Sequence, residues 1–132
     1  MKKGRKVLLA VLLTALLVLS GCGKYTSSYK AVGFVHNNTS ESAFMDFYLF
    51  EGTMVFKLRN STEGAQILYD ARLETGRAVV YYDCGTGSVP LFTINGGETF
   101  STEAGELAKG TVYLIVETEN ECVNGSFHFG LE

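Results

Sequence analysis

Chemistry in this chain has to come from a short roster of side chains. Its only imidazoles are His36 and His128, and a nucleophilic serine needs such a base beside it. His36 opens a stretch, His36-Asn37-Asn38-Thr39-Ser40, that reads as a loop. His128 alternates with Phe127 and Phe129 and is expected to face solvent. No serine sits in a GxSxG turn, so the sequence carries no visible hydrolase motif, and none of its residues is assigned as catalytic. Asp46, Asp70, Asp83 and Glu98 are candidates for the two carboxylates of glycoside hydrolysis, which must flank the scissile bond at a fixed separation. Each also fits the wet face or turn end of a strand. Asp46 is the odd one, set among Phe44, Phe47 and Tyr48. It either begins a wet face or is a buried acid, with Arg59 or Arg72 as the natural partner.

Glu117, Glu119 and Glu121 recur at period two, which puts three carboxylates on one side of an extended chain. Calcium takes six to eight oxygen ligands and normally a DxDxDG-type loop, which is absent, so these acids are a weak metal candidate and no cofactor is expected. Aromatic residues make up 12% of the chain without a single tryptophan, so a sugar-binding platform would fall to Tyr25, Tyr29, Tyr48, Tyr81 and Tyr82. In a regular strand Tyr81 and Tyr82 point to opposite faces, and core packing with a satisfied hydroxyl accounts for most of the five. No cluster of Lys and Arg is present to neutralise phosphates, which excludes nucleic acid as the partner.

The elements that must carry these residues read as strands. Val32 to Val35 forms a first strand. Ala43 to Phe50 is nearly continuous in apolar character, and Glu51-Gly52 reads as a turn into the alternating Thr53 to Asn60, a hairpin. Ala65 to Thr75 separates Ile67, Tyr69, Ala71 and Leu73 from Gln66, Asp70, Arg72 and Glu74 at period two, a strand with one wet face. Arg77 to Cys84, Val89 to Asn95 and Thr111 to Glu119 follow as strands, with Gly96-Gly97 as a tight turn. Glu98 to Thr102 is a polar edge strand, Glu103 to Lys109 has room for one helical turn, and Asn124-Gly125 turns the chain into Ser126 to Glu132. Eight or nine short strands with turn signals between them predict an all-β, antiparallel sandwich.

Before these strands the chain reads differently. Lys2, Lys3, Arg5 and Lys6 precede an apolar run from Val7 to Leu19, about 13 residues, too short to span a bilayer and right for a signal peptide. The run ends in Leu19-Ser20-Gly21-Cys22, which resembles a bacterial lipobox: an aliphatic residue, two small ones, then the cysteine that receives the lipid. The resemblance implies a signal peptide at 1–21, a lipidated Cys22 with a short tether to residue 30, and a sandwich over 31–132. It also implies an extracytoplasmic protein held on the cell membrane, or on the outer membrane of a Gram-negative cell. Two acyl chains hold a protein on a bilayer stably, where one does so only marginally. Processing leaves 7 of the 11 basic residues against all 14 acidic ones, a formal −7. Cys84 and Cys122 then remain as an even pair outside the cytoplasm, candidates for a disulfide whose loop of about 38 residues would be worth ~4 kcal/mol.

The closing stretch GTVYLIVETENECVNGSFHFGLE, residues 110–132, resembles the last hairpin of jelly-roll-like sandwich domains in small Gram-positive surface lipoproteins. The expected function is a lipid-anchored binding or interaction module facing a cell-envelope protein or glycan. The alternative is a small envelope enzyme or a glycan-binding accessory domain.

Overall fold

The computed structural model describes residues 25–132, so the expected signal peptide and Cys22 lie outside the described residues. The described chain is all β: β1 (Ser28–Val32), β2 (Val35–Asn38), β3 (Ser42–Asn60), β4 (Ala65–Thr75), β5 (Arg77–Asp83), β6 (Val89–Asn95), β7 (Thr99–Leu107), β8 (Gly110–Thr118) and β9 (Cys122–Leu131). Every pairing is antiparallel, in the order β6-β5-β8-β3-β9-β4-β7, with β1 and β2 added along β3. The expected antiparallel sandwich of eight or nine strands is the fold observed.

The organising element is β3, and it is not the expected hairpin. Its first half, Ser42 to Phe50, pairs with β9, and its second half, Thr53 to Asn60, pairs with β8. At Gly52, φ 132°, the strand folds over. Asn38, opposite Ala43, also bonds Lys57, and Arg59 N–H donates to Ser40 O at 2.7 Å. The two halves therefore run in opposite directions without pairing with each other, and one strand passes from the first layer (β2, β3, β9, β4, β7) into the second (β3, β8, β5, β6). Period-two alternation then sends Ala43, Met45, Phe47, Phe56 and Leu58 into a shared core with Ile67, Tyr69, Ala71, Leu73, Val80, Ile94, Leu114 and Phe127. Rings from the two layers meet there: Phe56 lies 6.2 Å from Phe129, and Tyr69 stacks on Phe92 at 4.4 Å.

Other boundaries shift for identifiable reasons. In the stretch expected to hold a helical turn, Glu103 to Lys109, residues 103–107 are strand, because β7 pairs with β4 through Leu107 and Gly105 takes a positive φ within it. Asn124-Gly125 does not turn the chain; β9 already begins at Cys122 and continues through Asn124 at φ 49°. The sandwich also starts earlier than residue 31. β1 begins at Ser28, and Tyr25 is hydrogen-bonded to Asp83 at 2.7 Å, so most of the expected tether belongs to the domain.

Candidate functional site

Alternation that buries Met45 and Phe47 turns Phe44, Asp46 and Tyr48 outward on the first layer. The registers align their neighbours into rows across it. Phe44 lies opposite His128, which lies opposite Asp70, which lies opposite Ser101. In the next row Asp46 faces Ser126, Ser126 faces Arg72, and Arg72 faces Thr99. Beyond it Asn124 donates to the Glu74 carboxylate at 2.7 Å, and Tyr48 stands 54% exposed beside Gly33. Four strands at about 4.8 Å spacing make this face ~14 Å wide.

Asp46 is the node of the face. Ser126 Oγ donates to its Oδ1 at 2.5 Å, and His128 Nε2 lies 3.1 Å from the same oxygen. The imidazole also stacks on Phe44, with centroids 5.2 Å apart and an interplanar angle of 17°. Both side chains are about half exposed, so the Asp46–His128 contact contributes little to stability and serves to fix ring and carboxylate in place. Asp46 is thus a wet-face acid, and its partner is His128, not Arg59 or Arg72. The serine is bound to the acid and not to the imidazole, the reverse of what an activated serine requires.

Two adjoining depressions run over the rows. One, of about 860 Å³, is lined by Asp46, Arg72, Glu74, Glu98, Thr99 and Asn124 among others. The second, of about 560 Å³, is lined by Leu68, Asp70, Ser101, Glu103 and His128 among others. Gly125 belongs in the floor because a Cβ there would fall 2.2 Å from the Phe47 ring. Carboxylates of Asp46, Glu74, Glu98, Asp70 and Glu103 line the groove, and Arg72 is the lysine or arginine that lines it. A groove so charged repels anionic ligands and favours neutral or cationic ones.

The other expected site residues fall elsewhere. Asp83, expected at a wet strand end, is 1% exposed on the second layer, where its Oδ1 accepts from the Gly85 and Gly87 amides at 2.8 and 3.2 Å. Glu117 lies one residue before the end of β8, opposite Thr53 and Val79, whereas Glu119 lies 3.6 Å from Arg77 beyond the strand. Glu121 follows in the turn, and among the described residues no three potential ligands come together, so the weak calcium candidate of Glu117, Glu119 and Glu121 is not assembled. Of the five tyrosines only Tyr48 stands on the groove face; Tyr25 packs edge-on against Tyr113 and Tyr29 against Phe34.

Cys84 and Cys122 are free thiols, which corrects the expected disulfide. Cys122 is buried with Sγ 3.6 Å from the carbonyl oxygen of Arg77, at the start of β5, while Cys84 follows the end of that strand. Seven residues of extended chain separate the two ends by ~20 Å, far beyond the ~7 Å Cα limit of a disulfide. Burial pushes the Cys122 thiol pKa up, which keeps it unreactive. Titration of the denatured, unreduced domain 24–132 is expected to count two thiols; a count of none would contradict the fold at this point.

Ser126, Asn124, Glu74 and Thr99 had no sequence signal as site residues. Their common feature is an outward position on strands that are neighbours in space but not in sequence.

No protein-family model matches the chain, and no curated protein matches it in sequence. Among solved structures, TmCBM61 in complex with β-1,4-galactotriose is similar with a TM-score of 0.48 at 14% identity, over 81% of this chain and 85% of that one. A family 29 carbohydrate-binding module complexed with mannohexaose gives a TM-score of 0.41 at 11% identity, over 81% of this chain and 91% of that one. The enzymatically active domain of a bacteriophage CBA120 tailspike protein gives 0.45 at 10% identity, over 81% of this chain but 19% of its own length. These likenesses concern strand arrangement alone.

Proposed function

We propose that this chain is a lipid-anchored extracytoplasmic binding module whose ligand is a glycan lying in the groove of the first layer. The observation that carries this reading is the line Tyr48, Asp46 and Phe44 with its stacked His128. Two ring surfaces about 13 Å apart along β3 have a carboxylate between them and Arg72 across from it. Flat rings match the C–H faces of sugar rings, and fixed donors and acceptors between them read hydroxyls. A shallow groove open along its length suits an extended oligosaccharide better than a compact metabolite. Its carboxylates select neutral or amine-bearing chains and reject polyanionic ones. The lipobox at Leu19-Ser20-Gly21-Cys22 supports the membrane location.

The test is a panel of immobilised oligosaccharides: neutral mannan and galactan fragments, amine-bearing glucosamine oligomers and anionic galacturonate oligomers. Retention on a neutral or amine-bearing member is expected, with none on galacturonate. Arg72→Ala should weaken that retention by about tenfold or more, the worth of one charge-assisted hydrogen bond. Failure to bind any glycan, or preference for galacturonate, would overturn the reading.

A further inference from the structure

The first described residues do not hang free. Tyr25 donates its hydroxyl to the buried Asp83 carboxylate at 2.7 Å and packs edge-on against Tyr113 with centroids 5.2 Å apart. Two residues on, Ser27 Oγ accepts the Val55 amide at 2.8 Å. Burial, reinforced by the Asp83 hydrogen bond and charge, pushes the Tyr25 pKa up to about 12, so the phenol stays a donor throughout the neutral range. The segment from Tyr25 to Ser27 is therefore fastened across the outside of the second layer, at the end where β5 runs into its turn with β6.

The groove rim is at the other end. Gly97 and Glu98 line the groove, and their turn is tied to the start of β5 by Gly96 N–H donating to Gly76 O at 2.8 Å. Glu74 completes that rim. The length of β5 separates the two ends by ~20 Å. Three peptide steps connect Cys22 to Tyr25, a reach of at most ~11 Å.

We propose that this clasp stands the anchored domain on the bilayer by its β5–β6 end, so that the Glu74–Glu98 rim of the groove faces away from the membrane. The inference rests on the anchored-module reading and adds an orientation to it. A clasp only three peptide steps from Cys22 holds the domain against the lipid surface, where a longer connection would let the groove face any direction. Ligand would then enter from outside the cell and not from the bilayer side.

Because the chain has no tryptophan, one introduced residue reports its own position. Thr86→Trp marks the β5–β6 turn, and Glu121→Trp marks the β8–β9 turn near the rim; both native residues are exposed. The full-length lipidated protein is reconstituted in phosphatidylcholine vesicles containing a headgroup-nitroxide lipid, and flotation is checked first. Quenching is expected to be several-fold stronger for Thr86→Trp than for Glu121→Trp, and adding Tyr25→Phe should shrink that ratio. Ser88→Trp serves as a second reporter if Thr86→Trp does not fold. Equal quenching in floating protein, or an unchanged ratio with Tyr25→Phe, would refute the orientation alone. Protein that does not float would refute the anchored reading itself.

Discussion

Gly52→Ala is expected to cost about 4 kcal/mol, combining backbone strain with an unrelievable overlap. The residue sits at φ 132°, and a Cβ there would lie 2.3 Å from Ser28 O and 2.7 Å from Tyr29 Cα. Both neighbours are backbone of β1, so relief requires parting β1 from β3. Nor can Gly52 itself move easily, since its amide donates to Thr118 Oγ1 at 2.8 Å. Gly64→Ala is the control: it also has a positive φ, 80°, but no atom within 4 Å of the added carbon. That variant should lose only ~1 kcal/mol, the conformational term alone. Urea unfolding of both variants measures the difference. Equal losses would mean that the bend in β3 is not held by the close approach of β1.

Asp83→Ala is the second large effect, expected near 3 kcal/mol. The carboxylate is 1% exposed and accepts from the Gly85 amide, the Gly87 amide and the Tyr25 hydroxyl. Truncation removes the shared acceptor of three part-buried hydrogen bonds at once, each worth about 1 kcal/mol. Asp83→Asn keeps one acceptor oxygen and should fall between Asp83→Ala and wild type. Tyr25→Phe removes one hydrogen bond and leaves the edge-on contact with Tyr113, so about 1 kcal/mol is expected. Chemical denaturation of the four proteins should give that order. An Asp83→Ala variant as stable as wild type would remove Asp83 as the fastening of this corner.

What could be read from the sequence was local. The separation of Ile67, Tyr69, Ala71 and Leu73 from Asp70, Arg72 and Glu74 gives β4 and its wet face directly, because one strand's alternation is visible within that strand. Glu51-Gly52 shows the limit. A glycine signals a turn, but whether the two segments it joins pair with each other depends on partners, and the two halves of β3 find theirs in β9 and β8. The cysteine pair misled for a similar reason, since parity and compartment favour a bridge while strand length keeps the thiols apart. Asp83 looked like an ordinary strand-end acid because nothing near it in sequence announces that Tyr25, 58 positions earlier, covers it. The groove was legible only in fragments. Asp46 and Tyr48 stand out singly in the sequence, but Ser126 and Arg72 join them through the β3–β9–β4 order, a set of pairings between strands far apart in the chain.

Amide chemical-shift mapping of domain 24–132 against a short amine-bearing glucosamine oligomer tests the binding groove most directly. Shifts are predicted to cluster at residues 44–48, 70–74, 97–101 and 124–128, and to need about tenfold more ligand with Arg72→Ala while the unliganded spectrum stays folded. Shifts confined to the outer face of the second layer, around Thr53, Tyr81 and Glu117, or the absence of any shift with this and the neutral oligomers, would contradict the account.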